Sequence, residues 1–552
     1  MFTTVLPVWG VALLLTLSCW SIGSAVVTAK SPLVGMLAGW CAFLLLCTIT
    51  WVVGLPASAM RPFFWAFFAF GLWLTVRGRR WPELVCATVC TGAITALLGA
   101  PFLRFPGLLA YGAHGLDMWG YVITADWLQT HSFRTLPEVG VSPMRFNWTW
   151  YVLLTRDRPL NYESLACLGA ATGLTTAKAY FAYPVILLSS LAMSLAREPW
   201  VFRFKYWFLA LLLVVAVVFH PLLILPWIAG FFGGTIVAGF TAMAFAGAAV
   251  AQDGEARRES LALAVLMMVF CAGLYSFKFL YVGLALGGVP LLIPTVIMML
   301  KHDFTPLKEF RPGRLLAVLL VTIGLVAAAV LFLGKDQVVD TGLPQLPITA
   351  AGHFLGIYGG SSPFVWLGYD VSRAFDREPW FNPVGLAALG LMTLLFLLVA
   401  WRRWQESRDY MVPVLVGLCA GVVWMVSDDE LIMAKTLAIF GFTLLILLAA
   451  VSRHLRHWSL GLLAAAVCCL PCLRSAAEMQ DIIWGPYITC TEENAADILD
   501  GQDWRVLAYL HFREDKDGFN WAKNPRTYSS VTHFLPDRLK QRLAKKYHMP
   551  QP

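Results

Sequence analysis

Asp117 opens the stretch Asp117-Met-Trp-Gly-Tyr121-Val-Ile-Thr-Ala125-Asp-Trp127-Leu128 and belongs to a set of ionisable residues standing at the ends of long apolar runs. The others are Lys178, Lys278, Asp370, Arg373, Lys435 and the triplet Asp428-Asp429-Glu430. A carboxylate held at a membrane face can take a proton from a hydroxyl, and cations near it can stabilise a developing anion. Each of these residue types also has a plainer use. Asp117 suits the N-cap of a helix, and a lysine at a span end snorkels its ammonium to the headgroups. The acidic triplet fits a solvated loop as well as it fits a divalent cation or the hydroxyls of an acceptor. Lys278 is the sharpest of the cations, because Tyr275-Ser-Phe-Lys278-Phe-Leu-Tyr281 surrounds it with aromatic rings that favour a charge at the membrane boundary.

The elements that position these residues are membrane helices. The chain has 552 residues, of which 59% are hydrophobic and 13% charged. A soluble domain carries about 25% charge, so the expected fold is an all-α polytopic membrane protein. With ~20 apolar residues per crossing, about 13 spans are expected, drawn from 14 apolar stretches. They lie near 4–26, 33–55, 62–77, 83–103, 177–196, 206–228, 229–251, 261–276, 279–300, 315–333, 383–400, 411–426, 436–452 and 457–474, with 161–176 read as a re-entrant or interfacial helix. Basic clusters recur between spans, at Arg77 to Arg80, Arg203 with Lys205, Arg257-Arg258, Lys301 to Arg314, Arg402-Arg403, and Arg453 with Arg456. The positive-inside rule puts them in the cytoplasm, and both termini and the ionisable set then fall outside. The expected location is a bacterial cytoplasmic (inner) membrane. The N-terminus lacks a basic segment ahead of its apolar run and reads as a first membrane helix rather than a cleaved signal.

The net charge of +8 reports this topology, and with no basic motif in a soluble domain nucleic acid is not an expected partner. Most of the 12 cysteines sit inside apolar runs and act as small hydrophobes. Cys472 and Cys490 suit either a disulfide or two free thiols. His220, beside a proline in a span, reads first as a packing residue, and Asn147-Trp-Thr matches a glycosylation sequon.

Three regions outside the lipid have size. The loop 104–160 is rich in Trp and Tyr and holds Arg134, Arg145, Arg156 and Arg158. Within it Met118, Trp119, Val122, Ile123 and Trp127 form an apolar face near helical spacing, the pattern of an amphipathic helix along the outer surface. The loop 334–382 carries Tyr358-Gly-Gly-Ser-Ser-Pro363 with Asp370 and Arg373. The tail 475–552 reads as a small α/β module, with a strand near 504–512 and a basic helix near 538–546.

Asp117, Tyr121 and Ala125 resemble the pattern that polytopic glycosyltransferases of the GT-C superfamily carry in their first extracytoplasmic loop. Those enzymes place an acid there, a tyrosine four positions on and an alanine near the helix middle. Two features depart from that pattern. Met118 stands where many members have a second acid, and the loop follows the fourth span rather than the first. The resemblance accommodates this with extra N-terminal helices over 1–80, a transferase core over 81–474 and the terminal module over 475–552. It implies a sugar donor linked to polyprenyl phosphate and a glycan, lipid or protein acceptor. Asp117 would be the catalytic base, in an inverting reaction. Lys278, Lys178 and Lys435 would hold the donor phosphate. Tyr121, Asp370, Arg373, Asp428 and Asp429 would serve the sugar or acceptor. The resemblance names no obligatory cofactor and leaves a divalent cation open. An envelope polysaccharide polymerase or ligase with a lipid-pyrophosphate donor also fits the arginine-rich loop. A secondary transporter is the third reading, although the sequence shows no internal repeat. If the topology is right, single cysteines placed at positions 130 and 310 react with an impermeant thiol reagent from opposite sides of the membrane. Labelling from one side overturns it.

Overall fold

The computed structural model describes residues 2–28, 30–99, 108–111, 116–136, 149, 152–153, 158–197, 232–250, 254–275, 279–283 and 489–491. Over these residues the protein is almost wholly helical. The helices, numbered over this part, are α1 (Phe2–Val26), α2 (Pro32–Val53), α3 (Arg61–Arg77) and α4 (Trp81–Leu98). They continue with α5 (Leu116–Thr130), α6 (Pro159–Thr172), α7 (Thr176–Arg197), α8 (Phe232–Val250), α9 (Gly254–Leu274) and the short α10 (Phe279–Gly283). β1 (Leu108–Tyr111) pairs antiparallel with β2 (Thr489–Thr491), which ties the long loop to the C-terminal region.

Among the described residues five helical stretches are long and apolar enough to cross a membrane: Thr4–Val26, Pro32–Val53, Ala57–Arg77, Trp81–Leu98 and Thr176–Arg197. Their ends follow local rules. Ser31 caps α2 by accepting from the Val34 N–H, Pro32 takes the first helical position, and Gly54 ends the helix at φ 76°. The fourth span stops at Leu98, earlier than 103, and α9 starts at Gly254, seven residues before the apolar run begins. Its polar first turns still make helical bonds, which an apolar ruler does not register.

The bundle has an inside and a lipid side. In α7 only Lys178 escapes burial between Thr176 and Leu195, so α7 is the central helix. In α3 and α4 the side chains of Phe63, Trp65, Phe70, Trp73, Val85 and Val89 are exposed, as suits a face whose solvent is acyl chain. Small residues let the inner helices approach. A Cβ on Gly39 would lie 1.9 Å from the Cys19 carbonyl oxygen, and one on Gly71 would lie 2.6 Å from Ser18 Cα. Where the backbones meet, hydroxyls join them: Ser21 and Thr75 are 2.6 Å apart, Thr16 and Ser190 3.5 Å.

The helix ends sort into two groups. At one end of the bundle, Arg197 of α7 pairs with Glu83 of α4 at 2.8 Å, and Thr28 after α1 donates from its N–H and hydroxyl to the Glu259 carboxylate of α9. The turn Gly78 to Arg80 lies at this end too. At the opposite end lie the starts of α3, α7 and α8, the ends of α2 and α9, and the helices α5 and α6.

α6 has 14 residues, about 21 Å of helix against a hydrocarbon core of about 30 Å. As expected for 161–176, it is too short to cross. It lies across the end of the bundle: Leu160 meets Gly273 of α9, Cys167 meets Thr50 of α2, and its last carbonyls meet α3. Every residue from Pro159 to Ala171 is buried.

The close α1–α2 crossing sets a test. Gly39→Val forces a side chain onto backbone atoms and is expected to destabilise the solubilised protein by at least ~3 kcal/mol, the upper part of the overpacking range. Gly10 has nothing within 4 Å of its would-be Cβ, so Gly10→Val serves as the neutral comparison. Equal melting temperatures in detergent for the two variants contradict the packing.

Candidate functional site

The site is built where α5 sits on α6. The protein-facing stripe of α5 is Tyr121, Val122, Thr124, Ala125 and Leu128, all buried, while Ile123 and Trp127 are half-buried. The apolar face expected from the sequence was Met118, Trp119, Val122, Ile123 and Trp127. Of these Val122 is buried and Ile123 and Trp127 are half-buried, while the side chains of Met118 and Trp119 lie outside the described residues. Asp117 is the second residue of α5, one turn before Tyr121.

Arg158 precedes α6 in a left-handed backbone conformation, φ 46° and ψ 47°. Pro159 starts the helix and disfavours a right-handed helical residue before it, but it favours extended backbone there, so the left-handed Arg158 is a strained residue held by its surroundings. The turn aims the side chain at α5 and α9. Arg158 Nη1 donates to the Tyr121 hydroxyl oxygen at 3.0 Å, and its guanidinium carbon stands 5.1 Å from the centre of the Tyr275 ring. Around this cation the rings close ranks. Tyr121 lies 5.2 Å from Tyr162 and 5.5 Å from Phe232, while Tyr180 stacks on Phe232 at 4.7 Å. The Tyr121 ring is buried, so here the residue orients the arginine.

The other arginines at this end have different work. Arg61 Nε donates to the Ala170 carbonyl at 2.7 Å, and Trp65 Nε1 to the Ala171 carbonyl at 2.9 Å. Arg134 Nη2 donates to the Val52 carbonyl at 2.7 Å. These side chains cap the C-terminal ends of α6 and α2, where a cation also suits the helix dipole.

Beneath Arg158, α6 carries polar groups into the bundle. Asn161 is 0% exposed and neither its amide nitrogen nor its amide oxygen has a partner. Its side chain faces Gly233 of α8. Glu163 is also 0% exposed; its Oε1 accepts weakly from the Cys167 thiol at 3.8 Å and its Oε2 has no partner. Burial pushes the Glu163 carboxyl well above the ordinary glutamate range, with the Cys167 contact opposing weakly, so the fold favours its protonated form.

Lys178 lies at the same end of the bundle, in the first turn of α7, half-buried, its N–H donating to Thr175 Oγ1 at 3.4 Å. The neighbouring Thr176 hydroxyl donates to Asp126 of α5 at 3.3 Å. That contact is nine residues, or about 14 Å of helix, from Asp117. The structure thus brings Tyr121, Arg158 and the helix of Asp117 together and joins α7, through Thr176, to the far part of α5. Lys278, Lys435, Asp370, Arg373, Asp428 and Asp429 lie outside the described residues, as do Cys472, the strand near 504–512 and the helix near 538–546. Among the described residues no group of His, Cys, Asp and Glu is arranged to hold a metal. The sequence reading gave no role to Asn161 or Glu163 and counted Arg158 only as one of several arginines. The signal was the polar run Arg158-Pro-Leu-Asn161-Tyr-Glu163-Ser164 beside apolar helices. Comparison of the chain with protein-family models, with curated proteins and with solved structures finds no match.

The Glu163 carboxyl makes a prediction with a definite sign. Its folded-state pKa is raised, so between the ordinary glutamate value near ~4.3 and that raised value the folded chain holds a proton the unfolded chain has lost. Stability therefore falls as pH rises through this window, by at most ~1.4 kcal/mol per pH unit. Glu163→Gln is neutral throughout and should flatten that slope and raise the melting temperature at pH 7. Thermal unfolding in detergent from pH 5 to pH 8 checks it, and parallel curves for the two proteins refute it.

Proposed function

We propose that the protein is an integral membrane glycosyltransferase that moves a sugar from a polyprenyl-phosphate donor to an acceptor at the extracytoplasmic face. The observation that carries this reading is the meeting of α5 with Arg158. The helix that bears the acid of the Asp117, Tyr121, Ala125 pattern docks, through that tyrosine, on a cation seated among aromatic rings. The orientation is that of the positive-inside rule. Lys30, Arg77, Arg79, Arg80, Arg197, Arg257 and Arg258 all belong to the opposite end of the bundle, which is then cytoplasmic. Both termini are extracytoplasmic, which requires an even number of spans over the whole chain in a bacterial inner membrane.

In this reading an acceptor hydroxyl attacks the anomeric carbon as the bond to the lipid phosphate breaks. Asp117 takes the hydroxyl proton, and the leaving phosphate keeps the bonding electron pair. Its charge is met by Arg158 together with Lys178, Lys278 and Lys435. Asp370, Arg373, Asp428 and Asp429 serve the acceptor or sugar, and a divalent cation bound by the acidic triplet would add to the charge stabilisation. A polymerase or ligase reading drew on the arginines of the 104–160 loop, and Arg134 is occupied by a helix end. One observation favours a carrier: Glu163 is a buried, titratable group inside the bundle.

The test is a transfer assay in membranes with a labelled polyprenyl-phosphate sugar. Asp117→Asn should insert normally and lose transfer by at least ~100-fold, the scale of general-base contributions. Asp126→Asn and Glu163→Gln should stay within a few-fold of the parent. Near-normal transfer by Asp117→Asn reduces that residue to a helix cap. Loss of transfer in Glu163→Gln alone moves the chemistry into the bundle.

A further inference from the structure

We infer that the turn joining α3 to α4 binds the headgroup of an anionic phospholipid in the cytoplasmic leaflet. The site needs the orientation set by the positive-inside rule and nothing of the transfer chemistry. The turn carries Arg77, Arg79 and Arg80, three cations in four residues. Arg77 and Arg79 are exposed and Arg80 is half-buried. The nearby Glu83 is already taken, because it pairs with Arg197 at 2.8 Å. Among the described residues no carboxylate pairs with any of the three arginines.

The backbone of the turn holds these charges together at a cost. Arg79 stands in the left-handed region at φ 50°, while Gly78 beside it has an ordinary φ of −75°. Glycine is at ease in the left-handed region and arginine is strained there. A Cβ on Gly78 would stand 3.1 Å from Arg80 Nε, so the bare glycine lets Arg80 fold back over the turn. Like charges held this close repel. A phosphodiester among them relieves the repulsion and accepts charge-assisted hydrogen bonds.

The helices that lead into the turn select a lipid over a free phosphate. On α3 Phe70 stacks on Trp73 at 5.6 Å, and the Arg77 guanidinium carbon lies 4.7 Å from the centre of the Trp73 ring. Positions 70, 73 and 77 run along one face of the helix toward its cytoplasmic end, and both rings are exposed. On α4 Trp81 and Val85 are exposed in the same way. Both helices pack on α1 and touch each other little, so their outer faces stay open to acyl chains. A soluble phosphate meets only the arginines. A phospholipid meets the arginines and the rings together, with tryptophan at the depth it favours. The uncompensated positive charge sets the sign of the headgroup.

The experiment is lipid capture by the purified full chain in detergent, read by native mass spectrometry with equimolar phosphatidylglycerol and phosphatidylcholine. The parent should retain phosphatidylglycerol at least ~10-fold over phosphatidylcholine, since each arginine near a headgroup contributes a factor of about 5. Arg77→Gln and Arg79→Gln should each lower that preference ~5-fold, and Arg79→Lys should keep most of it. Arg79→Gly removes the charge and suits the left-handed backbone, so it should match Arg79→Gln without a folding defect. Lys30→Gln removes an exposed cation elsewhere at the same end and should leave the preference unchanged. Soluble glycerol phosphate in large excess should not displace the lipid. A parent without preference overturns the inference, as does an Arg79→Gly variant that keeps it. Equal losses for Lys30→Gln and Arg79→Gln reduce the effect to net charge and also overturn it. Displacement by glycerol phosphate makes the turn a free-phosphate site, and the lipid assignment falls.

Discussion

A helix too short to cross the bilayer, buried at one end of the bundle, is the constraint on which the rest depends. α6 has 14 residues and no exposed face from Pro159 to Ala171, so its terminal backbone groups cannot turn to water. The protein has to supply their partners. At the C-terminal end Arg61 and Trp65 donate to two of the last carbonyls, which pins the start of α3 against α6. At the N-terminal end Pro159 has no N–H to satisfy, and the Arg158 carbonyl accepts from Asn161. Fixing those ends fixes the direction of α6, and with it the surface on which α5 docks.

The same constraint divides the cations by task. Arginines that close helix ends are held by carbonyls and by the negative end of a helix dipole; Arg61 and Arg134 are of this kind. Arg158 instead meets, among its contacts, a hydroxyl and a ring, which orient its guanidinium. Charge counting over the 104–160 loop treats these arginines alike, and only their contacts tell them apart.

Much of the scaffold was legible because lipid makes length and hydropathy decisive. Ser31-Pro32, Gly54 and the Arg77 to Arg80 turn mark helix ends in the sequence itself. The segment near 161–176 was read as non-spanning because a crossing there breaks the alternation of the basic clusters, and the helix found there, Pro159–Thr172, has 14 residues. That it is buried was not legible, because Asn161, Tyr162 and Glu163 look like surface residues and their cover comes from α2, α5, α8 and α9. That Thr124 and Ala125 of α5 are buried as well was not legible for a related reason: period alone cannot say whether the partner is lipid or protein. Asp117 and Tyr121 stood out by spacing on one helix. Arg158 did not, since its partners Tyr121 and Tyr275 are distant in sequence and meet only in the fold.

What marks this end of the bundle as the working end is where local rules are broken. Within Arg158 to Glu163 the chain holds a non-glycine residue in the left-handed region, an unpaired buried amide and a buried carboxyl with one orphan oxygen. The left-handed residue and the orphan groups each cost of the order of 1–3 kcal/mol, and they persist only where surrounding structure over-determines them. The α1–α2–α3 crossing is tight, with small residues at the closest approach and hydroxyls bonded across it. That rigid crossing can carry a strained segment six residues long without loss of the fold. A chain shaped for stability alone would fill those six positions with leucine and alanine. Strain and orphan polar groups beside a seated cation are the pattern expected of residues kept for function rather than for stability.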